Sequence, residues 1–220
     1  MPRQPRIVLP NIPHHITQRG NYKQTVFQGE RDFKTFSTWV NEYAQKYELD
    51  ILAFCLMSNH FHFIVVPNGE ESLARAFNIL QMRYAQYINR KRKANGHVWQ
   101  GRFFSCLLDD AHLYRAIRYV ERNPVRAKVV KHAWEYQWSS ANEHVGRSNA
   151  GVIRLSKKFK LIRADEWKEY LKEKDLETCD EMRIKTMRGL VVGREIFVKK
   201  LEYKLKRSLQ CLNPGRPRKS

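Results

Sequence analysis

The chain has 220 residues, of which 42% are hydrophobic and 12% aromatic, so it can bury a real core and is not a largely disordered protein. It carries 41 Lys+Arg against 22 Asp+Glu, a formal net charge of +19, an imbalance that favours a polyanionic partner. The longest uncharged apolar run, residues 51–57, is far short of the roughly 18–20 residues that cross a bilayer.

The basic N-terminus lacks the continuous apolar stretch of a secretory signal. Cys55, Cys106, Cys179 and Cys211 are widely scattered, with no Cys-x-x-Cys pair, which argues against a zinc ribbon or a disulfide framework and fits a reducing compartment. The expectation is a cytoplasmic, nucleoid-associated protein whose partner is nucleic acid, with no membrane role and no obligate protein partner.

Residues 7–17 read as extended, broken by Pro10 and Pro13, and Arg19-Gly20-Asn21 reads as a loop. Phe33, Phe36, Val40, Tyr43, Ala44 and Tyr47 recur at helical spacing and predict a helix over 31–47. Residues 51–57 suit a strand buried on both faces, and after a turn at Ser58-Asn59 residues 60–66 run back as a second strand. Ser72 is the expected N-cap of the next helix, which ends in the basic block Arg90-Lys91-Arg92-Lys93. A strand is expected within 99–108, followed by a helix capped by Asp110 that buries Leu113, Ile117 and Val120.

This order predicts an α+β fold, a ferredoxin-like antiparallel sheet with helices on it. The last seventy residues carry more than half of the net positive charge in under a third of the length. The chain is therefore expected to divide into a domain over 1–150 and a basic, mostly helical extension over 151–220 suited to binding DNA, with helices expected in 163–174 and 194–209. The end, from Pro214, is expected to be a flexible arm. There Gly215-Arg216-Pro217-Arg218 resembles an AT-hook core, and Arg216 and Arg218 are candidate minor-groove contacts.

His60-Phe61-His62 is the most informative triplet. On a strand, residues i and i+2 share a face, so both imidazoles project from one side while Phe61 and Phe63 bury on the other. Two such histidines supply two thirds of a divalent-metal site; on the triplet alone, an ordinary half-buried pair stays open. Tyr119 and Asn123 are four apart, one helical turn, with Pro124 ending or kinking the helix at once. Asn123 can offer a carbonyl oxygen to Mg²⁺ or Mn²⁺, leaving the Tyr119 hydroxyl free. Tyr114, the rival hydroxyl, falls on the opposite side of that helix from Asn123. His14 and His15 are adjacent, so at most one can face such a site, and neither is assigned.

These residues resemble a known family. Ser58-Asn59-His60-Phe61-His62, Trp99-Gln100-Gly101-Arg102-Phe103 and Tyr119-Val-Glu-Arg-Asn-Pro-Val125 are similar to the motifs of the REP-associated tyrosine transposases, single-tyrosine HUH enzymes. Pro13-His-His-Ile-Thr-Gln-Arg-Gly-Asn21 and, more loosely, Arg188-Gly-Leu-Val-Val-Gly193 extend the likeness over most of the chain.

The resemblance implies the HUH palm fold, His60, His62 and Asn123 as ligands of Mg²⁺ or Mn²⁺, and Tyr119 as the nucleophile. It implies a metal-dependent single-strand DNA endonuclease and strand transferase that acts in transposition and recombination. Its substrate would be a hairpin-forming REP-type palindrome with a short single-stranded flank, cleaved through a 5′-phosphotyrosine. A non-catalytic hairpin-binding descendant is the alternative. Arg19, Trp99, Arg102, Phe103, Arg115 and Arg126 are the expected DNA contacts beside the site, combining cations with aromatic surfaces for stacking.

Overall fold

The computed structural model describes residues 6–147, 152–158, 162–173 and 178–209. Strand β1 (His14–Arg19) leads into helix α1 (Glu30–Lys46), then β2 (Leu49–Met57), β3 (His60–Pro67), α2 (Ser72–Arg92), β4 (Phe104–Leu108) and α3 (Asp110–Glu121). The short helices α4 (Asn123–Arg126) and α5 (Ala141–His144) follow, then α6 (Ala164–Lys172), α7 (Thr178–Arg188), β5 (Val191–Val192) and α8 (Glu195–Leu205).

The sheet order is β2-β3-β1-β4-β5, with the first four strands antiparallel and β5 parallel to β4. Those four in that order are the expected ferredoxin-like sheet. None of the helices among the described residues is long and apolar enough to cross a membrane.

The sheet buries both faces. On one, Phe61 and Phe63 of β3 meet Phe36 of α1 and Phe77 and Tyr84 of α2 in an aromatic cluster. Each fully buried ring of this kind contributes about 1.5–3 kcal/mol. On the other face, Ile64, Cys106 and Leu108 pack against Leu113, Ile117 and Val120 of α3 and against Trp167 and Leu171 of α6.

The segment beyond 150 differs in composition but shares this core. Trp167 is fully buried, and Val191 and Val192 extend the sheet itself. Helix α7 was not foreseen from the sequence. Two caps also differ from expectation. Asp109, not Asp110, caps α3, because its side chain is the one that reaches the His112 N–H, at 2.8 Å. Ser72 is the first residue of α2 rather than its cap, and its Oγ accepts the Gly69 N–H at 3.0 Å.

Candidate active site

Register places the site. Thr17 lies opposite His62 and Arg19 opposite His60, so alternation puts His15, Thr17, Arg19, His60 and His62 on the face covered by α3. The His60 and His62 rings lie edge to face, with centroids 5.1 Å apart. Helix α3 ends at Glu121, and Asn123 opens α4 with Pro124 behind it, the two helices being separated by Arg122 alone. That brings Asn123 Oδ1 to 3.3 Å from His60 Nε2.

The Tyr119 ring stands edge-on to both His62 and His15, at centroid distances of 5.8 Å each. The Arg126 guanidinium sits over the same ring, 4.2 Å from its centroid, while its Nη2 donates to the Tyr119 carbonyl at 2.6 Å. The structure thus brings together His60, His62, Tyr119, Asn123 and Arg126. Tyr114 lies elsewhere, against Trp167.

Burial sets the charge state. His60 is held down to about 4, chiefly by loss of hydration and then by the positive charge of Arg19. His62, fully enclosed and beside His15 and His60, lies well below the ordinary imidazole range, and burial brings His15 down to about 3. At neutral pH these rings are therefore uncharged, each with one nitrogen lone pair to offer.

His60 Nδ1 lies 2.6 Å from Asn59 Oδ1 and its Nε2 3.3 Å from Asn123 Oδ1, two oxygens that only accept; a neutral ring carries one hydrogen, and with it on Nδ1, at the shorter contact, Nε2 faces Asn123 Oδ1 as a second acceptor. Two lone pairs 3.3 Å apart suit a cation between or beside them. Among the described residues no cluster of three His, Cys, Asp or Glu side chains could hold a metal, and the amide oxygen of Asn123 is the further donor that lies beside His60. A mixed imidazole and carbonyl donor set accepts Mg²⁺ or Mn²⁺.

The expected DNA contacts divide. Arg19, Arg102 and Arg115 are exposed. Trp99 and Phe103 are not the stacking surfaces the sequence suggested. Trp99 is 6% exposed, donates its indole N–H to the Gln81 carbonyl at 3.0 Å and packs on Phe61 and Tyr84. Phe103, 2% exposed, packs on Phe77, with the Arg6 guanidinium over its other face at 3.5 Å. Both rings anchor the loop before β4 in the core.

The motifs around them serve the same purpose. The Gln100 N–H donates to the Arg19 carbonyl, the Gln18 side chain donates to the Gly101 carbonyl, and Gly20 bridges Trp99. A Cβ on Gly20 would fall 2.3 Å from the Gln24 carbonyl oxygen. Arg216 and Arg218 lie outside the described residues.

Three residues near the site were not read from the sequence. Asn59 orients His60. His15 reaches His62 Nδ1 through Nε2 at 2.9 Å, and Thr186 of α7 meets His15 Nδ1 at 2.8 Å. Only the parity that His15 shares with Arg19 along β1 could have favoured it over His14; nothing local pointed to Thr186.

In shape the chain is similar to the structure described as a REP-associated tyrosine transposase bound to a REP hairpin. That match has a TM-score of 0.57 at 16% identity and covers 74% of this chain and 96% of the other. A crystal structure of a putative transposase from Deinococcus radiodurans R1 gives a TM-score of 0.39 at 13% identity, over 55% of this chain and 96% of that one. Among curated protein sequences no significant match was found. Residues 9–123, from the start of the sheet through Asn123, match the family described as "Transposase IS200 like", and the chain belongs to this family of transposases.

Proposed function

We propose that this transposase cleaves and rejoins single-stranded DNA through a covalent 5′-phosphotyrosine at Tyr119, at sites marked by hairpin-forming palindromes. The observation that carries the reading is the approach of His60 Nε2 to Asn123 Oδ1 at 3.3 Å, with the Tyr119 ring edge-on to His62, the other histidine of the pair, at 5.8 Å. The hairpin bound by the similar structure supports the same class of DNA for this chain.

Tyr119 Oη would attack the scissile phosphorus in line, forming the tyrosyl P–O bond as the P–O3′ bond breaks. The phenolic proton leaves to water, and the departing 3′-oxygen takes up a proton. Attack by a 3′-hydroxyl on the phosphotyrosine reverses the step and rejoins the strands. Arg126 places a positive charge against the nucleophile's ring, and Arg19 places one beside His60. His60, His62 and Asn123 would hold a divalent ion such as Mg²⁺ or Mn²⁺, which supplies Lewis-acid polarisation of the phosphate. Exposed Arg19, Arg102 and Arg115 would grip the phosphates of a single strand.

The test is a labelled single-stranded oligonucleotide carrying a hairpin, incubated with Mn²⁺ and resolved under denaturing conditions. Wild type should yield a protein–DNA adduct with the label 3′ of the break. Tyr119→Phe should yield none while binding the hairpin with nearly unchanged affinity. Adduct formation by Tyr119→Phe would move the nucleophile elsewhere.

A further inference from the structure

We propose that His15 and Thr186 form a buried relay that fixes His62 in the tautomer with its lone pair on Nε2, ready to take a divalent cation before one arrives. The inference rests on the metal-site reading given above, and it assigns a positioning role to two residues outside the His60, His62, Asn123 set.

The polarity of the relay follows from its far end. A carbonyl only accepts, so the Thr186 hydroxyl must give its single proton to the Met182 carbonyl, 2.8 Å away. Thr186 Oγ1 then has only lone pairs left, and the nitrogen 2.8 Å from it, His15 Nδ1, must carry a hydrogen. A neutral imidazole holds one N–H, so His15 Nε2 is an acceptor. His62 Nδ1, at 2.9 Å from it, must therefore donate, which leaves Nε2 of His62 with the free lone pair.

Nothing else in the relay contradicts this direction. The Cys106 thiol lies 3.0 Å from Thr186 Oγ1, whose second lone pair can receive the S–H. The His15 and His62 ring planes differ by only 5°, so the contact fixes the rotation of the His62 ring as well as its proton.

His60 reaches the same state by a different device. Its Nδ1 meets Asn59 Oδ1, and Asn59 is itself oriented by donating Nδ2 to the Lys23 carbonyl at 3.3 Å. A histidine side chain in water favours the opposite tautomer, with the hydrogen on Nε2, so each ligand needs a partner at Nδ1 to present Nε2. Outer partners of this kind orient metal-binding imidazoles generally. What is particular here is the origin of one of them. Thr186 lies on α7, beyond the 9–123 segment that matches the family, so the C-terminal part of the chain completes the site.

The experiment is a long-range ¹H–¹⁵N correlation spectrum of the histidine rings in metal-free, full-length protein, paired with Mn²⁺ titration by calorimetry. Wild type should show His62 with a protonated Nδ1 and an unprotonated Nε2. Thr186→Val, which keeps the shape and removes the acceptor, should give His62 a population with hydrogen on Nε2 and weaken Mn²⁺ binding by about 10–100-fold. Thr186→Ser should restore both. A wild-type His62 with hydrogen on Nε2, or a Thr186→Val spectrum identical to wild type, would overturn the relay. The wild-type spectrum decides even where Thr186→Val does not fold. The predicted tautomers with no Mn²⁺ bound would support the relay and overturn the metal reading instead.

Discussion

The Glu121 carboxylate accepts the Trp167 indole N–H over 2.9 Å, and so fastens the end of the tyrosine-bearing helix to α6. Glu121 is fully buried and also accepts from Ser140 Oγ at 2.6 Å and meets His144 Nδ1 at 2.5 Å. Arg118 and Arg122 point the same way, giving hydrogen bonds to the carbonyls of Tyr170, Leu171 and Glu173 at the end of α6. Trp167→Phe keeps most of the packing but leaves one carboxylate oxygen without its donor. It should cost about 1–3 kcal/mol in urea unfolding. Trp167→Ala adds a cavity and should cost about 3–5 kcal/mol.

The other end of α3 is held by Asp109. Its Oδ1 caps the helix at the His112 N–H, and its Oδ2 accepts the Arg194 N–H at 2.8 Å. Gly193 allows this approach, since a Cβ there would stand 2.6 Å from Phe197 Cδ1 and 3.3 Å from the Asp109 side chain. Asp109→Ala should lower the unfolding free energy by about 1–2 kcal/mol, measured by chemical denaturation. Asp109→Asn, which still accepts, should cost less.

Arg19 and Trp99 should separate binding from stability. Arg19 is exposed at the edge of the site, whereas Trp99 is buried among Phe36, Phe61 and Tyr84. Arg19→Ala should weaken hairpin binding severalfold in a filter or anisotropy assay and leave the melting temperature close to wild type. Trp99→Ala should lose about 3–5 kcal/mol of stability. If both variants lose only affinity, the core placement of Trp99 is not what limits this protein.

The sequence revealed the order of elements because hydrophobic period changes cleanly from 3.6 in α1 and α2 to the runs of β2 and β3. It revealed the shared face of His60 and His62 because strand alternation is rigid, and the closeness of Tyr119 to Asn123 because helical spacing is. It hid whatever depends on pairing between distant segments. Choosing His15 over His14 needs the register that sets Thr17 against His62, which no local pattern carries. Trp99 and Phe103 misled for a similar reason: an aromatic next to arginines looks like a stacking surface until the partner that buries it, here Gln81 or Phe77 on α2, is known.

Asp32 gives a pH signature. Burial alone would raise its carboxyl, but hydrogen bonds from Lys91, the Gln28 N–H and Tyr87 outweigh that and hold it below the ordinary aspartate value. A carboxylate depressed in the folded state contributes stability that is complete above its unfolded value, near 3.8, and lost as pH falls through the folded value. Asp32→Asn should therefore destabilise at pH 7 and flatten the acid limb below about pH 4 in urea midpoints taken across pH. Parallel wild-type and variant acid limbs would assign that limb to other carboxylates.

Hairpin affinity should fall steeply between low and physiological salt, because a chain of net charge +19 releases counterions from each phosphate it neutralises. The slope of log affinity against log salt, from anisotropy titrations, counts those contacts. Part of the basic block ending α2 will not contribute freely: Lys91 holds Asp32 at 2.7 Å, and Arg92 bonds Gln24 Oε1 at 2.7 Å and the Thr25 carbonyl. A flat profile would mean that the positive charge serves something other than DNA.

Strand β5 joins the sheet late. Leu107 and Leu108 pair with Val191 and Val192, and the helix that carries Thr186 comes just before them in the chain. His60, His62, Tyr119, Asn123 and Arg126 are all in place by position 126, yet β4 gains its neighbour Val191-Val192, and His15 its partner Thr186, only from residues more than 50 positions further on. Closing so long a loop is slow relative to forming the α1–β2–β3–α2 unit, whose contacts are local. A chain cut short of Thr186 would therefore hold Tyr119 and His62 but leave His15 without its hydrogen-bond partner, so the order of this site depends on the last segment to join the sheet.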